Sequence, residues 1–248
     1  MLAVPREIWP SPAAYALSPP PVNLAELALP ALAPEEEGAA TPDLTSQRGL
    51  RDAAIRAFLD KRYQDSLTYL ERMTETMNLT TNLLLLQAWS SSYAGQDEAA
   101  YTQWIRIAER MRSYGPAREM AGWHAFRRSR WMEAADLYAL AAQQKPEPGR
   151  LLHMQALIAW GQDREAAAQR LLVQAMQKPS PHPESLLAMA AIHAQAGNFP
   201  VAAGWLRRVL PTLALDQRAY WLKQEDFQRL PAEWKEGWDR LVNELCPT

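Results

Sequence analysis

Small residues recur every 34 positions through the middle of the chain, at Ser66, Ala100, Ala134, Ala168 and Ala202. A second small column runs in the same register: Ala54, Ala88, Gly122, Ala156 and Ala190. Four residues after the first column stands a large apolar one (Leu70, Trp104, Tyr138, Leu172, Leu206). Three residues further on comes a medium or small one (Met73, Ile107, Ala141, Ala175, Val209). Spacings of three and four place these positions on one helical face. The interval between the two small columns leaves room for one helix to end, turn and start another. The pattern predicts helical hairpins whose backbones approach closely at the small residues, while the bulky column fills the space toward the next hairpin. A fixed period of this length means a stacked array in which each unit buries its apolar face against its neighbours.

Turn and breaker residues fall where that array needs them. Gly95, Gly161-Gln162-Asp163 and Gly197-Asn198 lie between the two helices of a hairpin. Gly115-Pro116, Pro146-Glu147-Pro148-Gly149 and Pro179-Ser180-Pro181-His182-Pro183 lie between hairpins. No unit needs an insertion or deletion to stay in phase.

The stretch from Ala121 through Trp131, Ala134, Tyr138 and Ala141 to Pro146 resembles a tetratricopeptide repeat. The unit with Gly197, Phe199, Ala202, Leu206 and Val209 is similar. The resemblance covers residues 48–215 as about five units. There are departures: Arg118 stands where the family carries a large apolar residue, and Asp97 and Glu165 replace an aromatic. The resemblance implies an all-α solenoid (α-solenoid) with a concave groove that binds peptides or proteins, and no activity of its own.

Outside the array the chain changes character. Residues 1–47 hold nine of the nineteen prolines, and six acidic residues against one Arg. Polyproline and extended conformations are natural to such an arm. Ile8, Trp9, Tyr15, Leu17, Val22, Leu24 and Leu27 make it too apolar for a purely solvating linker. Three readings stay open: a flexible, solvated linker or tail, an arm lying along a groove on its own array or on a partner, and a tether left where a membrane anchor has been removed. Residues 216–248 read as a cap: Trp234, Trp238, Leu241, Val242 and Leu245 sit at helical spacing, with Pro231 suited to the first turn. The run Glu225-Asp226-Phe227 resembles the tail closing some bacterial tetratricopeptide proteins.

Composition narrows the chemistry. The net charge of −2 argues neither for nor against nucleic acid as a whole-chain property; a basic patch runs through Arg106, Arg110, Arg112, Arg118, Arg127, Arg128 and Arg130, too local to make nucleic acid the expected partner. That patch reads as solvated surface or as a dock for an acidic segment such as Glu35-Glu36-Glu37. The one Cys, Cys246, allows no intrachain disulfide. No stretch is apolar enough for a transmembrane helix, and Pro5, Pro10 and Pro12 interrupt any signal-peptide core. The expected compartment is the cytoplasm, or the periplasm if the natural N-terminus has been trimmed. There is no phosphate loop, no metal-spaced His pair, no nucleophile elbow and no CxxC, so neither catalysis nor a metal or cofactor is expected. His193 is expected in the core and His153 on a groove wall.

The resemblance implies that the first helix of each repeat lines the groove. Counting from the small column gives Arg51, Ile55 and Phe58, then Leu85, Trp89 and Tyr93. The third repeat contributes Glu119, Trp123, Phe126 and Arg127, the fourth His153, Leu157 and Trp160, and the fifth only Leu187, Ala191 and Gln195. A contiguous exposed apolar stripe marks a partner site, whereas a buried one is ordinary packing. The Lys-Asn-Arg clamp with which the family holds chaperone C-termini is missing from the expected places. Ile55, Phe58, Trp89, Tyr93, Trp123, Phe126, Arg127, His153, Leu157 and Trp160 are thus the candidate peptide site of a protein–protein interaction adaptor. Its expected ligand is an extended apolar or Pro-containing segment. Two other readings stay open: a structural subunit of a bacterial assembly latched through its arm, and a scaffold autoinhibited by residues 1–47.

Overall fold

The helices begin and end where the 34-residue register places them. A computed structural model describes residues 12–18, 22–30, 43–112, 114–143, 147–179, 181–222 and 232–245. The described residues are helical or irregular, with no strand among them. By contact they form two compact units, residues 19–128 and residues 1–18 with 129–248.

In the first unit a single turn, α1 (Leu24–Leu27), precedes α2 (Gln47–Leu59), α3 (Tyr63–Thr74), α4 (Thr81–Tyr93), α5 (Asp97–Arg110) and α6 (Gly115–Arg127). In the second, a 3-10 turn at Pro12–Tyr15 accompanies α7 (Trp131–Ala142), α8 (Pro148–Gly161), α9 (Glu165–Met176), α10 (Pro183–Gln195) and α11 (Phe199–Val209). After a 3-10 turn at Leu210–Thr212 follow α12 (Leu215–Leu222) and α13 (Ala232–Leu245). The breakers between repeats prove to be helix starts, with Pro116, Pro148 and Pro183 in the first turns of α6, α8 and α10. Glu147 strengthens one start, its carboxylate accepting from the Gly149 and Arg150 N–H groups at 2.8 and 2.6 Å.

Every rung of the columns is buried. Ser66, Ala100, Ala134, Ala168 and Ala202 are each 0% exposed, and Leu70, Trp104, Tyr138 and Leu172 likewise. The second small column is buried throughout, Gly122 included. First and second helices differ in how much of their circumference is covered. On α4, Leu83, Leu85, Leu86 and the run from Ala88 to Ser92 are buried, all around the helix; on α5 only Ala100, Trp104, Ile107 and Ala108 are, a stripe at i, i+4, i+7, i+8.

A further 34-residue column exists in the backbone. Lys61, Gly95, Ser129, Asp163 and Gly197 all have positive φ, at 62°, 74°, 56°, 61° and 80°. The next residue's N–H reaches back five residues, as in Arg62 to the Ala57 carbonyl (2.7 Å), Gln96 to Ser91 (2.9 Å), Arg164 to Ala159 (2.9 Å) and Asn198 to His193 (2.8 Å). This is a Schellman ending, in which a left-handed residue satisfies the last helical carbonyls. Glycine fills two of the five turns because it alone carries no Cβ penalty there. A Cβ at Gly95 would meet nothing within 4 Å. Gly95→Ala therefore tests conformation alone and is expected to cost about 1 kcal/mol, read as a lower urea midpoint with an unchanged slope.

The C-terminal helix behaves as a cap on its own unit. Trp238 is 5% and Leu241 0% exposed, and the Trp238 ring lies 6.4 Å from that of Phe199 at the start of α11. Arg207 of α11 pairs with Glu244 at 3.2 Å. Pro231 and the run from Glu225 to Leu230 lie outside the described residues, as does the side chain of Trp234.

Candidate functional site

In the first unit most of the candidate residues are buried, and three of them, Phe58, Trp89 and Tyr93, share an aromatic cluster. Ile55, Phe58, Trp89, Trp123 and Phe126 are between 0 and 5% exposed. Trp89 is stacked on Tyr93 (5.7 Å between centroids) and edge-on to Trp104 (5.0 Å). Tyr63 stacks on the other side of Tyr93 at 4.9 Å, with Phe58 beside both. The five buried side chains are packed rather than open, because first helices packed between second helices have little circumference left over. A Trp89→Ala variant would consequently report on stability before it reported on binding. The Arg127 guanidinium lies over the Trp123 ring, 4.9 Å from its centroid.

What covers part of this face is the arm. Leu27 of α1 is 0% exposed, packed on α4. The Val22 N–H donates to the Tyr93 hydroxyl at 3.3 Å, and the Asn82 side chain donates to the Ala28 carbonyl at 3.0 Å. Burial holds the Tyr93 phenol above its ordinary pKa, and the Val22 bond opposes that shift. Tyr93→Phe deletes the acceptor while keeping the ring. The Val22 amide is expected to exchange with solvent about fivefold faster, a loss of about 1 kcal/mol.

A polar chain fastens α4, α5 and α6 beneath the cluster. Trp104 Nε1 donates to Ser92 Oγ at 2.9 Å, Ser92 Oγ lies 2.8 Å from His124 Nε2, and His124 Nδ1 lies 2.8 Å from Asp97 Oδ1. A carboxylate only accepts, so Nδ1 carries the proton and Nε2 of the neutral ring is the acceptor. Burial keeps that ring neutral by lowering its pKa, against the pull of Asp97. Arg127 Nε completes the chain at 3.1 Å from Asp97 Oδ2. Its connectivity is that of a hydrolytic triad. Ser92, however, is 5% exposed and sits on the last turn of α4, where the unsatisfied backbone groups are carbonyls rather than the N–H donors an oxyanion needs. The arrangement is a fastener, and it gives Asp97 a use that explains its place in an aromatic column.

In the second unit the candidate residues meet an occupant. His153 and Leu157 are 0% and Trp160 4% exposed. His153 Nε2 lies 2.8 Å from the Tyr15 carbonyl oxygen and Nδ1 lies 2.9 Å from Ser185 Oγ. Since a carbonyl only accepts, Nε2 is the protonated nitrogen and the Ser185 hydroxyl donates to Nδ1. Burial pushes the pKa of His153 down to about 4, so the ring is neutral. The Tyr15 ring, 2% exposed, lies 5.5 Å from Trp160 and 5.3 Å from Trp221, stacked on the latter at 18°. Trp160 is held in turn by a 3.2 Å bond from Nε1 to Gln195 Oε1. Ser185 and Trp221 carry no register signal; only the fold brings them to His153 and Trp160.

His193, expected in the core, is half-exposed beside Trp205 in a 550 Å³ surface groove. The basic patch divides by surroundings. Arg127 is held by Asp97, Arg128 by Glu98 and Arg130 by Glu133, while Arg106 and Arg110 line a 600 Å³ cavity with Gln87 and Gln103. Glu35-Glu36-Glu37 lie outside the described residues. Among the described residues no helix is long and apolar enough to cross a membrane, and no His, Cys, Asp and Glu cluster is placed to hold a metal ion.

No protein-family model matches the sequence, and no curated protein matches it. Solved structures do share the fold. MamA from Desulfovibrio magneticus RS-1 superposes with a TM-score of 0.58 at 13% identity, over 69% of this chain and 96% of that one. MamA of MSR-1 gives 0.55 at 16% identity, over 70% and 98%. The thermophilic TPR protein TTC0263 of Thermus thermophilus gives 0.53 at 17% identity, over 71% and 97%. With the buried small columns and the left-handed turn at each hairpin, these superpositions make the fold that of a tetratricopeptide repeat protein.

Proposed function

We propose that the chain is a non-enzymatic protein–protein interaction scaffold whose first-helix faces hold an extended apolar segment. Its own arm is the resident occupant. The observation that carries this reading is the seat of Tyr15, with its carbonyl bonded to buried His153 and its ring against Trp160 and Trp221. A main-chain bond from a buried donor together with an aromatic slot is how a groove holds a peptide in register. The arm contacts at Tyr93 and Asn82 are the same kind of interaction on the first unit. On the first unit Ile55, Phe58, Trp89 and Phe126 then form the packed floor and Tyr93, Trp123 and Arg127 the contacts; on the second, Leu157 belongs to the floor and His153 and Trp160 to the contacts. The arm seated on its own chain favours the autoinhibited scaffold over a subunit latched to a neighbour.

A tethered arm competes at an effective concentration in the millimolar range. Tyr15→Ala in the full chain should therefore raise the affinity for an added peptide of residues 10–30 at least tenfold over the unmodified chain. Fluorescence anisotropy of the labelled peptide reads this directly. Equal affinities, or no binding to either chain, would sink the reading.

A further inference from the structure

Resting on the scaffold reading, we infer that the seat on the second unit selects partners carrying an aromatic residue followed, two positions later, by a large aliphatic one. The docked arm displays the selection residue by residue. Tyr15 and Leu17 are 2% and 5% exposed, whereas Ala14 and Ser18 are exposed and Ala16 is half-buried. After the 3-10 turn ends at Tyr15 the chain carries no helix through Ser18. Two side chains two positions apart are thus buried together while the one between them is less so, and an aromatic at the first position and an aliphatic at the second are read as a pair.

Each element of the motif has its own cause. The aromatic is selected by the Trp160 and Trp221 rings, which meet Tyr15 at centroid distances where offset or tilted aromatic pairs are favourable. The register is set by His153, a fully buried donor that would be left unsatisfied by any ligand offering no carbonyl at this point. Ser185 locks the tautomer from the other side, so that Nε2 keeps its proton for the ligand. The turn before the aromatic comes from Pro12, Ala13 and Ala14, closed by a 3.3 Å bond from the Ala16 N–H to the Ala13 carbonyl. The outward position of Ala14 leaves that residue free to vary. The partner that displaces the arm is accordingly a protein segment with a short turn, an aromatic, any residue, then Leu, Ile or Met.

The test uses the full chain carrying Tyr15→Ala as host and labelled peptides of residues 10–30 as ligands. Peptides with Tyr15→Ala or Leu17→Ala should bind at least tenfold more weakly than the unmodified peptide. Tyr15→Phe should stay within about threefold, and Ala14→Ser should make no difference. In the host, His153→Phe should weaken the unmodified peptide at least tenfold. Should the host variants misfold by circular dichroism, the same peptides are added to the unmodified chain and hydrogen exchange of residues 13–18 is followed; only peptides keeping both anchors should accelerate it. Binding that ignores the two anchor substitutions overturns the motif but leaves the scaffold reading intact. Failure of every peptide to bind overturns both.

Discussion

Trp104→Ala is expected to lower stability by about 4 kcal/mol, the largest effect of any single truncation proposed for this chain. Trp104 is 0% exposed and stands in the bulky column of α5, edge-on to Trp89 and 6.5 Å from the Tyr114 ring. Its removal leaves a cavity that α4 and α5, already packed together with Ala88 and Ala100 fully buried, cannot readily collapse to fill. It also takes the indole N–H from Ser92, leaving the fastening chain to His124 short of one donor. Trp104→Phe separates the two contributions: it keeps most of the volume and should cost about half as much. Urea unfolding followed by far-ultraviolet circular dichroism checks both. A loss under about 1 kcal/mol for Trp104→Ala would mean that the column is not packed as described.

Acid is expected to undo the arm and the second unit through His153. Its pKa is about 4 in the folded chain and near the ordinary 6.5 once wet, so between these values the folded state binds fewer protons than the opened one. Stability from this group is fully present above pH 6.5 and is lost as pH falls toward 4, about 3 kcal/mol in all. Arg150 and the His182 ring, 6.5 Å away, act in the same direction by disfavouring a second positive charge. His124 and His193, both also lowered by burial, add to the trend with the same sign. His153→Gln keeps an N–H for the Tyr15 carbonyl but does not titrate, and should flatten the stability profile between pH 6.5 and 4. The measurement is the thermal midpoint across that window, with amide exchange at residues 13–18 as the local readout. A variant as acid-sensitive as the unmodified chain would place the effect elsewhere.

The fold was legible because its signals are local and repeated. Small residues at Ala100, Ala134 and Ala168 mark close helix contacts wherever they recur, and the structure buries each one. The turn column was only partly visible. Gly95 and Gly197 announce a left-handed residue, and Asp163 falls in a turn the sequence marks, but Lys61 and Ser129 do not, since those residue types seldom adopt positive φ. Here the Schellman bonds of the preceding helix impose the backbone, and the residue accommodates it.

The candidate site was legible as a set of positions and not as a surface. Trp89 and Trp123 do occupy matching places on successive first helices, yet Trp89 is consumed by packing against Tyr93 and Trp104. The register puts His153 on a groove wall and says nothing of what it holds. Its partner Tyr15 lies 138 residues away, in an arm whose sequence has no period to align.

By itself, then, the sequence determined the architecture: a 34-residue period in volume, and hence helical hairpins stacked at their small residues. That information is carried by neighbours three, four and 34 apart, so one chain read in order is enough. Which side chains stay available to a ligand was decided only in the tertiary structure. Exposure at Trp160 or Tyr93 depends on what the remote arm and the adjacent helices bring to them, and the seat of Tyr15 exists only where α8, α10, α12 and the N-terminal turn converge.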